Sequence, residues 1–247
     1  EQMPRIGTRK LHYMLTETLN RHKVSIGRDK LFDLLDEYGL LVRRRKRRRV
    51  NTTDSNHPFR KYPNLVRELQ VLRPNHLWVS DITYIGLTDS FCYLSLITDA
   101  YSRKIVGYCL HPTLKKEGPI QAMAMALQTV PDKLEAPLIH HSDRGLQYCC
   151  SDYTTLLQNK GISISMTEKG DPYENAIAER VNGILKEEFG LYCDFDNYEK
   201  AMAKVESAIE VYNQLRPHAS CNYLTPEQAH QQNGSLTAKW KRRLVMT

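Results

Sequence analysis

The sequence lacks the features that would place it in several large protein classes. It has no Cys-x-x-Cys pair and no cysteine before Cys92. Its six cysteines, Cys92, Cys109, Cys149, Cys150, Cys193 and Cys221, are isolated or, at 149–150, adjacent. Adjacent thiols are poorly spaced for a tetrahedral zinc site, and the set reads as reduced thiols of a cytoplasmic protein. No apolar run approaches the roughly 18 residues of a membrane span, and no signal peptide is recognised, so no membrane partner is expected. Glycine and proline, at 12 and 11 of 247 residues, give no sign of a fibrous or wholly disordered chain. With 41% hydrophobic residues, the length suffices for one sizeable core and a small accessory domain.

Charge is unevenly spread. Residues 1–76 hold 18 Lys/Arg against 8 Asp/Glu, a net +10, and the remaining 171 hold 17 against 20, a net −3. A basic front joined to a slightly acidic body points to a polyanion partner. The densest part is the run Arg43, Arg44, Arg45, Lys46, Arg47, Arg48 and Arg49, followed by a polar stretch with two prolines. Seven consecutive cations repel one another, and ordering them needs counter-charge. Contact with nucleic acid, mostly through phosphates, is the reading we adopt.

Hydrophobic rhythm divides the chain. Leu11, Met14, Leu15 and Leu19 predict a helix over 8–20, and Leu31, Leu34, Leu35 and Tyr38 another over 26–38, with Ser25 as its cap and Gly39 at its end. Two short helices with a compact link fit a helix-turn-helix or any small helical hairpin. From residue 76 the pattern changes to β-branched and aromatic segments with short links. HLWVSDITYIG, SFCYLSLITDA and SRKIVGYCLH predict an antiparallel meander, with a turn at Thr88-Asp89-Ser90. A helix is predicted over 118–130, stopped by Pro131. It is followed by a short strand PLIHHSD, a helix near 151–160, a strand over 162–166, a long helix starting near Pro172 and another over 198–215. Three meandering strands and then strands alternating with helices make a mixed α/β sheet. The order is that of a ribonuclease H-like fold.

Three carboxylates stand out. Asp81 lies inside a strand between Val79 and Ile82, where burial is costly unless the acid is paired or binds a cation. Asp143 follows the short strand LIHHS, at the strand end where ligands gather in α/β sheets. Glu179 lies beside the apolar stripe Ala178, Val181, Leu185 and Phe189 of its predicted helix. If the fold joins them, they need cations, and hard oxygen ligands select Mg²⁺ or Mn²⁺. Two such ions suit an in-line phosphoryl displacement.

Five ordered stretches carry a resemblance to a known family: W-V-S-D-I-T-Y from Trp78, Y-L-S-L-I-T-D-A-Y-S-R-K-I-V-G-Y from Tyr93, and H-S-D-R-G-L-Q-Y from His141. The others are S-M-T-E-K-G-D-P-Y-E-N-A-I-A-E-R-V-N-G-I-L-K-E-E from Ser165 and Y-N-Q-L-R-P-H from Tyr212. Over roughly residues 5–233 the chain resembles the integrase-core domain of DDE transposases, close to those encoded by the second reading frame of bacterial insertion sequences. Thirty-five residues separate Asp143 from Glu179, the family's spacing. The resemblance implies that Asp81, Asp143 and Glu179 are the catalytic metal ligands. It also implies that Lys186, two helical turns after Glu179, meets a phosphate near the cut. His141 and Arg144 flank Asp143 and contact phosphate or orient its loop, while Asn175 assists from one turn before Glu179. Glu174, thirty residues from Asp143, is the rival third ligand. Arg216, Pro217 and His218 fix the fold or the DNA path.

The family reading divides the chain into a helical, helix-turn-helix-like DNA-binding domain (1–42), a basic linker (43–75), a ribonuclease H-like catalytic core (76–197) and a C-terminal helical extension (198–247). The early histidines His12, His22 and His57 have no cysteine partner, so the zinc-binding module of retroviral integrases is not expected, nor any structural zinc. The expected activity is metal-dependent cleavage at element ends and strand transfer by 3′-hydroxyl attack. The alternatives are a ribonuclease H-like nuclease without strand transfer and a non-catalytic DNA-binding regulator. Expected partners are double-stranded DNA, a second or further copies of the chain in a synaptic assembly, and an upstream-frame segment. The expected location is the bacterial cytoplasm, at the nucleoid when bound to DNA.

Overall fold

A computed structural model describes residues 3–42, 58–131, 133, 136–168 and 175–237. The basic run Arg43 to Arg49, the rival Glu174, and Pro172 near the predicted start of the long helix lie outside the described residues. The chain opens with α1 (Thr8–Arg21) and α2 (Arg28–Glu37) and continues with β1 (Leu77–Gly86), β2 (Phe91–Asp99), β3 (Ile105–His111) and α3 (Glu117–Leu127). Then come β4 (Ile139–Ser142), α4 (Leu146–Cys149), α5 (Ser151–Asn159) and β5 (Ser163–Met166). The series ends with α6 (Ala176–Phe189), α7 (Tyr198–Leu215), a 3₁₀ turn at Ala219–Cys221 and α8 (Pro226–Ala229).

The five strands form one mixed sheet in the order β3-β2-β1-β4-β5. The first three are antiparallel, with Leu87 N–H donating to the Ser90 carbonyl at 2.9 Å in the first predicted turn. β4 and β5 run parallel to β1. Period-two alternation gives the sheet two apolar faces. Trp78, Ile82, Ile97 and Val106 pack under α3 and α5 with Met123, Tyr153 and Leu157. Ile85, Leu94, Leu96 and Leu110 pack under α6 and α7 with Val181, Phe189, Val205 and Tyr212. The predicted mixed sheet is therefore present. The short helices α4 and α8 were not anticipated from the sequence.

The helix termini show two differences from expectation. Gly27, not Ser25, precedes α2 as its N-cap; it is extended and offers no side-chain cap. Asp29 in the first turn places a negative charge at that helix end instead. Gly39 follows the helix at φ +67°, a left-handed conformation that suits glycine as predicted. Secondly, α3 ends at Leu127, well before Pro131, with Gln128 and Thr129 N–H groups closing its last turn.

The N-terminal pair buries only Leu31. His12 Nε2 bonds the Ile26 carbonyl at 2.8 Å, and Tyr13 stacks on Tyr223 with ring centroids 4.6 Å apart. Lys10 reaches Glu188 of α6 at 3.0 Å. Glu188 is also gripped by Arg216, whose Nε and Nη2 each donate at 2.8 Å. Arg216 is 1% exposed, so this fork is a buried link between the ends of α6 and α7. Arg216 and His218 thus serve the fold, His218 lying edge-on to Tyr212 at 5.3 Å.

Gly107 on β3 lets α3 lie close. A Cβ there would stand 2.1 Å from the Ala122 carbonyl oxygen and 2.9 Å from the Ala126 Cβ. Backbone atoms yield at high cost, so Gly107→Ala is expected to destabilise the fold by about 3 kcal/mol. Urea unfolding should show a lower midpoint with the slope retained. An unchanged midpoint would mean that α3 does not seat on β3 in this way.

Candidate active site

The site begins with strand register. Leu77, Trp78 and Val79 of β1 lie opposite Ile139, His140 and His141 of β4. The parallel register carried on by two residues sets Asp81 beside Asp143. β4 ends at Ser142, so beyond Val79 that flank of β1 has no strand beside it. Two acids therefore meet at an open notch in the sheet.

Asp81 keeps partial solvent contact but is largely enclosed. Its Oδ1 accepts the Ile82 N–H at 2.9 Å, and its Oδ2 accepts the Asn182 side-chain amide at 2.8 Å. Burial, and then the neighbouring Asp143, push its carboxyl up to about 7 against those two hydrogen bonds; Glu179 adds the smallest push. Asp143 Oδ1 accepts the Gly145 N–H at 2.9 Å. A Cβ on Gly145 would stand 3.0 Å from that same Oδ1 and 3.1 Å from Gln147 Oε1. The glycine gives the Asp143 loop the clearance to fold back on itself.

Helix α6 supplies the third side of the notch. Ala178, Val181, Ile184, Leu185 and Phe189 are buried, and Glu179 is exposed at the margin of that stripe. Asn175, Glu179, Asn182 and Lys186 follow one another at spacings of four, three and four, along one edge of the helix. Asn175 is buried at the N-cap, and its amide donates to the Ser80 carbonyl at 2.9 Å, next to Asp81. Lys186 is partly buried, which pulls its ammonium down to about 8 against the raising effect of Asp81. Its Nζ sits 3.9 Å from the centroid of the Tyr84 ring.

The sequence-predicted residues thus divide by place. Asp81, Asp143, Glu179, Asn175 and Lys186 surround the notch, and Arg144 is partly exposed beside it. His141 is fully buried, with Nδ1 2.8 Å from Ser165 Oγ of β5. Its neighbour His140 bonds Ser80 Oγ at 2.6 Å and Tyr153 at 3.0 Å, and burial, aided by His141, pulls it down to about 3. Both imidazoles brace strands, so of the two roles considered for His141 its placement suits the orienting one. Sequence reasoning missed Asn182, Gly145 and Tyr84. The heptad-like spacing of polar residues along α6 is the signal that points to Asn182. Among the described residues, no three His, Cys, Asp or Glu side chains stand together as a ready-made metal cage. Asp81 and Asp143 still offer an all-oxygen donor set whose crowding a cation would relieve.

Comparison with known proteins identifies the family of this chain. The integrase core domain family matches residues 72–172, and a second integrase core domain description matches residues 160–226. An insertion element IS600 31 kDa protein of Shigella sonnei is 36% identical over 222 residues, 89% of this chain and 79% of that protein. A putative transposase for IS986/IS6110 of Mycobacterium tuberculosis is 33% identical over 69% of this chain, which spans 63% of that relative's length. The transposase InsF of IS3fB from Escherichia coli is 36% identical over 65% of this chain and 55% of its own. Among solved structures, the HTLV-2 integrase catalytic core with magnesium superposes over 66% of this chain and all of its own. Its TM-score is 0.53 and its identity 22%, a likeness of fold.

The raised Asp81 carboxyl sets a stability trend. The folded chain retains a proton up to about pH 7 that the unfolded chain releases near pH 4. Stability with chelator present should therefore fall as pH rises through that window. Asp81→Asn removes the ionisation, so at pH 8 its urea midpoint should exceed that of wild type, and the two should converge near pH 4. A wild-type advantage at pH 8 would show that burial and Asp143 do not penalise the ionised Asp81.

Proposed function

The chain belongs to the DDE transposase and integrase superfamily of polynucleotidyl transferases, and on that premise we propose that it cuts phosphodiesters at the ends of an insertion sequence and joins the freed 3′-hydroxyl to other DNA. The observation that carries the reading is the parallel register that sets Asp81 beside Asp143 at the end of the β1–β4 pair.

On this reading Asp81 and Asp143 hold divalent metal, Mg²⁺ with Mn²⁺ as substitute, and Glu179 supplies the third carboxylate for a two-ion site. The bound ions would supply activation of the attacking oxygen and stabilisation of the leaving one. The chain's own residues do the positioning. Asn182 fixes the rotamer of Asp81, Gly145 fixes that of Asp143, and Asn175 ties the start of α6 to the backbone just before Asp81. Lys186 brings positive charge to a notch lined by the acids Asp81, Asp143 and Glu179, and there it meets a phosphate of the substrate. Arg144 takes a second phosphate contact. The helical pair over 1–42 and the basic linker over 43–75 hold the DNA flanking the cut, and the 76–197 core with its 198–247 extension carries the chemistry. Two element ends have to be held together, so the working form is a homodimer or a larger assembly.

Asp81→Asn, Asp143→Asn and Glu179→Gln should each lower Mg²⁺-dependent cleavage and joining by more than about a hundredfold, since changes behind metal ligands already cost 10–100-fold. End-DNA binding should persist in all three variants. The assay follows a labelled duplex carrying the end of the chain's own element, with pre-cut ends included to isolate joining. Cleavage without strand-transfer product would favour a plain nuclease. Binding without either reaction in wild type would leave a DNA-binding regulator.

A further inference from the structure

Lys186 sits where a salt bridge would be the simple outcome. Asp81 is near enough to raise its pKa, yet among the described residues its ammonium makes no ion pair. It lies over the ring of Tyr84 instead, 3.9 Å from the centroid. Tyr84 is three residues beyond Asp81 on β1, on the stretch that β4 leaves uncovered. The ring is held in turn by Phe91 across the hairpin, edge-on at 5.7 Å and 88°. The β1–β2 register sets Tyr84 opposite Tyr93 and Phe91 one pair further along that face, opposite Gly86.

A ring face and a carboxylate hold a cation differently. The carboxylate neutralises it and occupies its N–H donors, whereas the ring attracts it through its quadrupole and leaves charge and donors available. A lysine bridged to Asp81 would also compete for the oxygens needed by metal. The ring contact is weaker than a charge-assisted bond to phosphate, so an arriving phosphate can take the ammonium over. Lysine's four-carbon stem is flexible, and resting on the ring restricts it before DNA arrives.

We propose that Tyr84 is a positioning residue: its ring face keeps the Lys186 ammonium off the carboxylates and presents it to a phosphate of the DNA end. The proposal rests on the reading of Lys186 as a phosphate contact, and the test separates the two. Full-length wild type, Tyr84→Leu, Tyr84→Phe, Lys186→Met and the Tyr84→Leu/Lys186→Met double variant are titrated with a duplex carrying the element's own end, with Ca²⁺ in place of Mg²⁺, at several salt concentrations. Lys186→Met should weaken binding and lower the salt slope by about one. Tyr84→Leu should weaken binding by about 2–5-fold in the wild-type background and have no effect beside Lys186→Met. Tyr84→Phe, which keeps the ring face, should bind as wild type. Tyr84→Val, suited to a strand, replaces the leucine variant if that one fails to fold. Equal losses from Tyr84→Leu in both backgrounds would overturn the proposal, because the ring would then act independently of Lys186. A Lys186→Met variant with unchanged affinity and salt slope would overturn the phosphate reading beneath it.

Discussion

Two carboxylates side by side, Asp81 within β1 and Asp143 just past the end of β4, repel each other, and the surrounding structure has to hold against that repulsion. The repulsion between such charges, partly shielded by protein, amounts to a few kcal/mol at contact distances (about 4 kcal/mol for unit charges at about 4 Å and an effective dielectric near 20). The fold opposes this locally and at a distance. Locally, Ile82 N–H and the Asn182 amide take both oxygens of Asp81, while Gly145 N–H takes one of Asp143. At a distance, α6 buries Val181, Ile184, Leu185 and Phe189 against the sheet. At roughly 2 kcal/mol each, these four outweigh the repulsion. The apolar stripe keeps the helix seated, and its polar edge can then face acids. Protonation of Asp81 up to about pH 7 is the remaining strain relief, and it is a relief that a bound cation would replace.

The seat of α6 is also fixed at its far end. Arg216 grips Glu188 with two parallel hydrogen bonds inside the protein, and Lys10 joins from α1. Burying such charges is costly, and an ion pair is a weak source of net stability. Its geometry is specific, however. A bidentate fork sets the rotation and axial position of a helix more sharply than apolar contacts, which tolerate sliding. A shift of α6 would move Asn182 off Asp81 and Lys186 off Tyr84 together, since the three contacts share one rigid element.

The sequence showed the parts that depend on local period. Alternation in LWVSDITYIG made β1 legible and exposed Asp81 as an acid out of place. The strand-end position of Asp143 followed from the short apolar run before it. Glu179 was less legible, because a helix glutamate beside an apolar stripe is ordinary and only its spacing from Asp143 distinguished it. Asn182 was hidden for a related reason: its partner Asp81 lies 101 residues earlier, and no local pattern encodes that hydrogen bond. The Arg216–Glu188 fork is equally a product of tertiary contact, whereas the Gly145 clearance is local, set against Asp143 and Gln147 two residues to either side. Helices α4 and α8, four residues each, are too short to show a period. Gly27 replaced Ser25 as the cap because the helix starts later than its apolar pattern suggests.

Charge distribution and fold meet in α6. An acidic notch repels a polyanion, and the body of the chain, at −3 over 171 residues, does nothing to attract one. Attraction has to come from the +10 carried by residues 1–76. The described part of that basic front is not a free appendage, for Lys10 and Tyr13 dock it on Glu188 and Tyr223. Glu188 lies nine residues, about two and a half turns, beyond Glu179 on the same helix. The helix that brings Glu179, Asn182 and Lys186 to the notch is therefore the one to which the N-terminal helices are tied. On the proposed reading, DNA held by the basic front is held relative to α6. The carboxylates then need only the local positive charge of Lys186 and of bound metal to accept the phosphate presented to them.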